Sequence, residues 1–93
     1  MAKQVIWTNT ARDARQEILE KFFERDGEKK ECKKLAFLIR SNVKFLSNYN
    51  FGGIESNYSG MRETTCGACT IFYKIRATSI TITGIFERES KHN

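Results

Sequence analysis

The sequence predicts an α+β domain in which an N-terminal strand and a two-helix hairpin precede three further strands, in the order β-α-α-β-β-β. Two observations carry this prediction. Apolar residues recur at helical spacing in two segments of the first half of the chain, whereas the last third alternates with a period of two. We expect the helical hairpin to cover one face of a mostly antiparallel four-stranded sheet and to leave the other face open to a partner.

Length and composition set the class of protein. The chain has 93 residues, of which 40% are hydrophobic and 29% charged, so residues 1–93 are expected to fold as one domain. Its net charge of +5 suits an anionic partner such as RNA, DNA or an acidic polypeptide, without choosing among them. No apolar run is long enough to span a membrane, and the start of the chain is too polar for a signal peptide. A cytoplasmic location with reduced cysteines follows as the expectation.

The first strand and the first helix follow directly from local patterns. Gln4–Trp7 is a short β-prone run, and Asn9 or Thr10 is predicted to cap the helix that follows it. Gly27 is predicted to end this helix, because glycine takes a left-handed conformation without steric cost. The apolar stripe of the helix comprises Ala11, Ala14, Ile18 and Phe22, widened by Leu19 and Phe23.

A second helical stripe lies beyond Gly27, so the two helices are predicted to form an antiparallel hairpin. The stripe comprises Cys32, Leu35, Ala36, Ile39, Val43 and Leu46. Basic residues on its opposite face are Lys30, Lys33, Lys34 and Arg40. Residues 47–60 have the Asn, Ser and Gly content of a loop. The large side chains predicted to pin that loop to the body are Tyr49, Phe51, Ile54 and Tyr58.

Three strands are predicted in the last third of the chain. Residues 61–66 form the first, a tight turn at Gly67 and Ala68 follows, and Cys69–Ile75 forms the second. The third covers residues 80–86. In the second strand Ile71, Tyr73 and Ile75 share one face, and Thr70, Phe72 and Lys74 share the other. In the third strand Ile80, Ile82, Gly84 and Phe86 are predicted to share a face.

Few residues are suited to metal or nucleophilic chemistry. Cys66 and Cys69 form a CxxC, and Cys32 with His92 would complete four zinc ligands by number. Strands flank the CxxC on both sides, whereas structural zinc sites usually have paired knuckles and a thioredoxin-type site opens a helix. Ordinary cysteines are therefore the favoured interpretation, with no metal and no cofactor. A single histidine also excludes a two-histidine ribonuclease mechanism.

Four basic residues lie near the predicted sheet: Arg62, Lys74, Arg76 and Arg88. Lys74 shares the open face with Thr70, and Arg88 follows the last strand, where a guanidinium can grip a phosphate across the sheet edge. Any one surface cation is more often simply solvated, and Arg76, in a turn, is assigned to that class. Tyr49 and Tyr58 could stack on bases. Tyr73 has the parity of the core residues of its strand.

Taken together, these segments resemble the RelE/ParE toxin superfamily. The start VIWTNTARDARQEILEKF has the family's short strand, its W-[ST]-x-x-A step and its amphipathic helix. The end GMRETTCGACTIFYKIRATSITITGIFERES has an Arg, a Gly five residues later, a strand ending in I-x-Y and a closing hydrophobic-acidic-Arg step. The matching positions are Arg62, Gly67, Ile71, Tyr73, Ile80, Ile82, Phe86, Glu87 and Arg88.

The resemblance implies the toxin of a bacterial type II toxin–antitoxin system, of the kind known from plasmid stabilisation. Such a toxin is neutralised by a small cognate antitoxin. The resemblance implies neither a small-molecule substrate nor a membrane. RelE-like members enter the ribosomal A site and cut mRNA as endoribonucleases (interferases), using Arg and Lys side chains. ParE-like members inhibit DNA gyrase and have no nuclease chemistry.

The chain departs from the nuclease pattern in two respects, one of which is that His92 has no following Tyr, so the C-terminal Tyr or His-Tyr pair of the nuclease members is not visible. Ribonuclease members typically carry an Arg just before the I-x-Y segment, and this chain has Thr70 there. If it cleaves mRNA, Arg88 and Arg62 are the expected phosphate contacts, and Lys74 is the expected substitute for the missing Arg. The alternative is a ParE-like gyrase inhibitor, or a decayed toxin that only binds its antitoxin.

Overall fold

Two helices cover one face of a five-stranded sheet in the computed structural model, which describes residues 2–27, 29–58 and 60–88. The elements in chain order are β1 (Gln4–Trp7), α1 (Asn9–Asp26), α2 (Lys29–Asn48), β2 (Ile54–Glu55), β3 (Arg62–Cys66), β4 (Cys69–Ile75) and β5 (Ser79–Glu87). The predicted α+β class, the helical hairpin and the last three strands are confirmed. Within the described ranges, no helix is long and apolar enough to cross a membrane.

The strands lie in the order β1-β5-β4-β3-β2, with β1 parallel to β5 and all other neighbours antiparallel. The sheet is therefore mostly antiparallel, as predicted, but it has five strands instead of four. The additional strand, β2, lies in the segment that was predicted to be a loop and pairs Ile54 with Glu63 of β3. Two residues are too few to show an alternation, so only the partner strand reveals this element.

Helix α1 begins one residue earlier than the capping prediction indicated. Thr8 has extended backbone angles, φ −67° and ψ 159°, and its hydroxyl oxygen accepts a 3.1 Å hydrogen bond from the N–H of Ala11. Asn9 and Thr10 lie inside the helix, so the prediction that one of them is the cap was wrong. Three consecutive residues could serve as caps, and the path of the chain from β1 decides which one does.

Removal of this cap by mutation gives a first testable prediction. Thr8→Ala is expected to lower the free energy of unfolding by about 1 kcal/mol, because it leaves an N–H of the first turn without its partner. Urea titration followed by circular dichroism measures the change. Thr10→Ala is the matched control, because Thr10 is exposed within the helix, and it is expected to cost less than about 0.5 kcal/mol. Equal losses for the two variants would contradict the assignment of Thr8 as the cap.

Gly27 ends α1, as predicted. Its φ of 66° is left-handed, and its N–H donates a 2.9 Å hydrogen bond to the carbonyl oxygen of Phe23. The Phe23 side chain is 42% exposed, so the prediction that it widens the apolar stripe was wrong. Phe22, the preceding residue, packs against the core instead.

The core lies between the helices and the inner face of the sheet. The helices contribute Ala11, Ile18, Leu35, Ile39, Val43 and Leu46, and the sheet contributes Cys66, Cys69, Ile71, Tyr73, Ile80, Ile82 and Ile85. The stripe predicted for α2 supplies all of that helix's buried residues. In β4 the alternation holds along the strand, with Ile71 and Tyr73 fully buried. Burial of this area of apolar surface is the main stabilising contribution to the fold.

A β-bulge interrupts the alternation in β5. The pairing shifts between Tyr73↔Ile82 and Phe72↔Gly84, so that Thr83 has no opposite residue. The bulge reverses the faces after Thr83, because one extra residue moves every following side chain to the other side of the sheet. Ile80 and Ile82 face the core as predicted, but the placement of Gly84 and Phe86 with them was wrong, since Gly84 lies opposite Phe72 on the open face. Phe86 is 59% exposed on the open face, and its neighbour Ile85 is buried in its place.

Candidate functional site

The sheet face opposite the helices carries a concavity of about 690 Å³, which we call the sheet groove. Its lining comes from four strands and from the segment that precedes β3. The lining residues are Gly52, Gly53, Ile54, Tyr58, Met61, Glu63, Thr64, Thr65, Thr70, Phe72, Thr83, Gly84, Phe86 and Glu87. This groove is the open face that the sequence predicted to be available to a partner.

Three aromatic side chains form the apolar part of the sheet groove. Phe72 packs edge-to-face on Phe86 with ring centroids 5.6 Å apart, and Tyr58 packs edge-to-face on Phe72 at 6.0 Å. Such offset perpendicular pairs are the favoured arrangement of aromatic rings. Tyr58 remains 65% exposed and Phe86 59%. An exposed aromatic cluster in a concave surface is typical of a binding site for an apolar partner surface.

The described residues that line the sheet groove provide no positive charge. Among the described residues that line it, Glu63 and Glu87 are the ionisable acids and none is Lys, Arg or His. Glu87 is paired with Arg25 of α1 at 2.9 Å, so Glu63 is the acid of the lining without such a partner in the described residues. Thr70 lies in the groove and supplies only a hydroxyl group. The groove is therefore suited to a protein surface and poorly suited to a phosphate.

Arg62, predicted as a phosphate contact, holds the neighbouring loop. It lies opposite Tyr73 in the β3–β4 pair, on the core side of the sheet. Its guanidinium donates a 2.7 Å hydrogen bond to the carbonyl oxygen of Gly53 and stacks over Phe51, with 4.9 Å from Cζ to the ring centroid. These contacts give Arg62 a structural function here.

The loop between α2 and β2 is fastened from the core instead of by its own aromatic residues. The hydroxyl of Tyr73 donates to the carbonyl oxygen of Asn50 at 3.0 Å and accepts from the N–H of Gly53 at 3.1 Å. The residues predicted to pin the loop contact the body only in part: Tyr49 stacks on Phe45, Tyr58 packs on Phe72 and Phe51 lies under Arg62, but all of them stay mostly exposed. Their exposed fractions are 64% for Tyr49, 73% for Phe51, 66% for Ile54 and 65% for Tyr58.

Lys74 and Arg88 lie at opposite ends of β4. Lys74 follows the groove residue Phe72 on the same face of the strand, near its C-terminal end. Arg88 donates its backbone N–H to Ala68 at 2.7 Å, and its guanidinium reaches the carbonyl oxygen of Gly67 at 3.5 Å. The six residue steps from Ala68 to Lys74 span about 20 Å at ~3.3 Å per step. The structure therefore does not bring Arg62, Lys74 and Arg88 together around one phosphate, and their roles remain predictions.

Cys66 and Cys69 lie opposite each other across the turn between β3 and β4, and both are fully buried. Burial raises the pKa of the Cys66 thiol, against a smaller opposing effect of a hydrogen bond with Asn42. Burial, together with the negative charges of Cys66 and Glu87, raises the pKa of Cys69 to about 11. Raised pKa values leave little thiolate at neutral pH, so these cysteines are poor nucleophiles.

The described residues contain no group of three or more His, Cys, Asp and Glu side chains that could hold a metal ion. The predicted alternative of a zinc site also used His92, which lies outside the described residues. Cys32 is half-buried on α2 as a free cysteine.

The thiols provide a second testable prediction. At pH 8 a thiol reagent is expected to modify Cys32 quickly in the folded protein, and Cys66 and Cys69 only after unfolding in denaturant. Raising the pH towards 11 is expected to increase labelling of the buried pair only slowly, because their pKa values are shifted upward and access is closed. Cys32→Ser is the control and should abolish the fast phase. Fast labelling of two or more thiols in the folded protein would contradict the buried placement.

No protein-family model matches the chain, and no curated protein matches it either. Solved structures do. The chain is similar to a solved chain from the chromosomal ParDE TA system of P. aeruginosa. The TM-score is 0.82 and the identity 21%, and the match covers 95% of this chain and 98% of the solved chain. It is also similar to one from the toxin–antitoxin complex RelBE2 of Mycobacterium tuberculosis, with a TM-score of 0.69 and 17% identity over 97% and 95%.

The chain has the fold of the RelE/ParE toxin superfamily. The resemblance identified in the sequence is thus confirmed at the level of the fold. In this RelE/ParE fold, the sheet groove is lined by aromatic and threonine side chains. The outward position of Phe86 is the feature of the groove that sequence reasoning missed, because no local signal marks the bulge at Thr83.

Proposed function

We propose that the protein is the toxin of a bacterial type II toxin–antitoxin pair, acting in the cytoplasm and neutralised by a small antitoxin. The similarity to a chain of the ParDE TA system and to a chain of the RelBE2 toxin–antitoxin complex, over nearly their full length, supports this proposal. The net charge of +5 supports an acidic partner.

We further infer that the toxin arrests growth by binding an essential protein, in the manner of the ParE-like gyrase inhibitors, and not by cutting mRNA. One observation carries this inference. The sheet groove presents Tyr58, Phe72 and Phe86 and, among its described lining residues, no cation. Cleavage of a phosphodiester requires positive charge at the scissile phosphate, where negative charge develops in the transition state. An exposed aromatic cluster instead provides the kind of side chain that dominates protein–protein binding energy.

Ribosome-dependent mRNA cleavage is the second candidate function. The observation in its favour is that Lys74 has the groove-side parity of Phe72, while Arg88 extends from the end of β5 to the neighbouring turn. In this candidate mechanism Arg88 and Arg62 contact phosphates and Lys74 replaces the Arg missing at Thr70. The separation of Lys74 and Arg88 along β4 and the contact of Arg62 with Gly53 weigh against it.

Induction of the chain alone in a bacterial host, with simultaneous pulse-labelling of protein and DNA synthesis, tests the proposal. Earlier loss of DNA synthesis, with gyrase inhibition by the purified protein, is the expected result. Prompt collapse of protein synthesis with cleaved mRNA would favour the interferase instead. If folded protein accumulates and neither synthesis falls, the chain is a decayed toxin that retains at most its antitoxin-binding role.

The basic residues give a third testable prediction. The double variant Lys74→Ala, Arg88→Ala is expected to arrest growth within about twofold of the unchanged protein, because neither cation lines the sheet groove. The dose of inducer that halves the growth rate is the measurement, with protein levels compared by immunoblot. An mRNA-cleaving enzyme depends on its cations for about 10²-fold or more in rate. A loss of arrest of that size would therefore contradict the protein-binding mechanism.

A further inference from the structure

The outer surface of α1 carries a row of carboxylates, which we call the acidic row. Its positions are spaced by four, three and four residues, are all exposed and are all acidic: Asp13, Glu17, Glu20 and Glu24. Residues at this spacing lie on one face of a helix. The row points away from the core, since Ala11 and Ile18 on the opposite side of α1 are buried. It extends over about 16 Å at ~1.5 Å per residue.

The outer surface of α2 carries the opposite charge at the same spacing, and we call this the basic row. Its exposed positions are Lys33, Phe37, Arg40 and Lys44. Lys30 and Lys34, which are also exposed, add positive charge at its N-terminal end. Phe37 takes one position of the row, and its side chain is 60% exposed among these cations. The basic row thus combines positive charge with one exposed aromatic ring near its middle.

Neither row is neutralised by an ion pair within the described chain. In residues 2–27, 29–58 and 60–88 the one ion pair joins Arg25 to Glu87, and neither residue belongs to a row. Like charges three or four residues apart destabilise a helix, so each row carries an energetic cost in the single chain. A surface of opposite charge would relieve that cost.

The two rows match in level as well as in length. Arg15 of α1 lines the same concavity, of about 630 Å³, as Arg40 and Lys44 of α2, so these parts of the two helices lie side by side. Asp13 and Glu17 therefore lie level with Arg40 and Lys44. A two-fold axis parallel to the helices would place each acidic row on the basic row of a second copy. An axis across the helices would place like charges together.

We propose that two copies of the chain associate through their helical faces, with the acidic row of each on the basic row of the other. A two-fold contact of this kind makes every interaction twice. Phe37 supplies the apolar side chain at its centre. A nucleic acid would suit the basic row alone, but the adjacent acidic row would repel its phosphates. The sheet groove stays open on the opposite face of the sheet, so this proposal does not depend on how the chain arrests growth.

Sedimentation equilibrium of the full chain measures the association. A monomer–dimer equilibrium is expected at low salt, because opposite charges then attract with little screening. The dissociation constant should rise at least about 10-fold between ~0.05 M and ~0.5 M salt, since exposed ion pairs are strongly screened. A chain that stays monomeric at about 1 mM in low salt would overturn the proposal.

Two charge-reversed variants test which surfaces meet. Asp13→Lys, Glu17→Lys makes part of the acidic row basic, and Arg40→Glu, Lys44→Glu makes the level part of the basic row acidic. Each variant alone is expected to weaken self-association at least about 10-fold, because like charges then face each other. An equimolar mixture of the two is expected to form a heterodimer within about threefold of the original affinity, because opposite charges face each other again at both contacts. Circular dichroism checks that both variants fold.

Glu31→Lys, Glu55→Lys is the matched control for the first variant. Both glutamates are exposed and lie outside the two rows, and their replacement gives the chain the same net charge as Asp13→Lys, Glu17→Lys. The control is expected to change the dissociation constant less than about threefold. An equal loss of association in the control would show that net charge, and not the facing rows, sets the affinity.

Other outcomes would also overturn the proposal. A mixture of the two reversed variants that stays monomeric would show that the rows do not face each other. A dimer that neither reversal weakens would assign self-association to a different surface. Duplex DNA or single-stranded RNA that binds a monomeric chain, with affinity lost in Arg40→Glu, Lys44→Glu, would assign the basic row to nucleic acid.

Discussion

Phe86→Ala is expected to reduce growth arrest by at least about 30-fold, measured as the dose of induced protein that halves the growth rate. Phe86 forms one edge of the aromatic cluster in the sheet groove and packs on Phe72, yet it is 59% exposed. Removal of its ring would take away contact area for the target while leaving the buried core unchanged. The free energy of unfolding should fall by less than about 1 kcal/mol.

Phe37→Ala is the matched control for this variant. Phe37 is 60% exposed on α2 and does not line the sheet groove, so the variant removes the same side chain from an equally accessible position. It should leave growth arrest within about twofold of the unchanged protein. Similar losses in both variants would show that the effect reflects general stability or solubility. Full arrest by Phe86→Ala would contradict the assignment of the sheet groove as the binding surface.

Gly53→Ala is expected to have the largest effect on stability, lowering the free energy of unfolding by about 1–3 kcal/mol. An added Cβ would overlap the backbone carbonyl oxygen of Glu63 and lie 2.8 Å from the hydroxyl of Tyr73. Backbone cannot move aside as a side chain can. The variant would therefore also break the contacts of Gly53 with Tyr73 and Arg62, and displace one wall of the sheet groove.

Gly52→Ala is the control, because the adjacent glycine has the same chemistry but a different neighbour. Its Cβ would overlap the edge of the Phe45 ring, which is about half exposed and can rotate away, and would lie 3.1 Å from the backbone carbonyl oxygen of Tyr49, a tight contact but a looser one than Gly53 would make with Glu63. The expected loss is below about 1 kcal/mol by urea unfolding. Growth arrest should fall with Gly53→Ala even at a temperature where the variant is folded. Equal stability of the two variants would contradict the close approach of Gly53 to β3.

The periodicity of apolar residues was sufficient to predict the helices and strands that present a regular face to the core. The α2 stripe ending at Leu46 and the alternation around Ile71 and Tyr73 in β4 were predicted correctly, because burial of one face imposes the period directly on the sequence. Gly27 was likewise predictable, since a glycine directly after an apolar helical stripe is typical of a left-handed C-terminal cap. The order and spacing of several short motifs along the chain, taken together, indicated the resemblance to the RelE/ParE superfamily.

Features that depend on a partner element could not be predicted in this way. The two residues of β2 form a strand only because β3 lies beside them. Thr8 was overlooked as the cap of α1 because Asn9 and Thr10 have similar capping chemistry, and the exit direction of β1 decides among them. The loop after α2 was predicted to be pinned by its own large side chains, whereas its backbone is held by Arg62 and by Tyr73, which lies 23 positions away from Asn50 in the chain.

Local periodicity and residue chemistry were enough to specify the α+β class, the helical hairpin, the inward face of β4 and the absence of an Arg at Thr70. Three features became visible only in the folded chain: the bulge at Thr83 turns Phe86 outward, Arg62 holds Gly53, and Lys74 and Arg88 lie far apart. Each of these depends on strand register. Register is set by the summed packing of distant segments, so it leaves no mark in any short stretch of sequence.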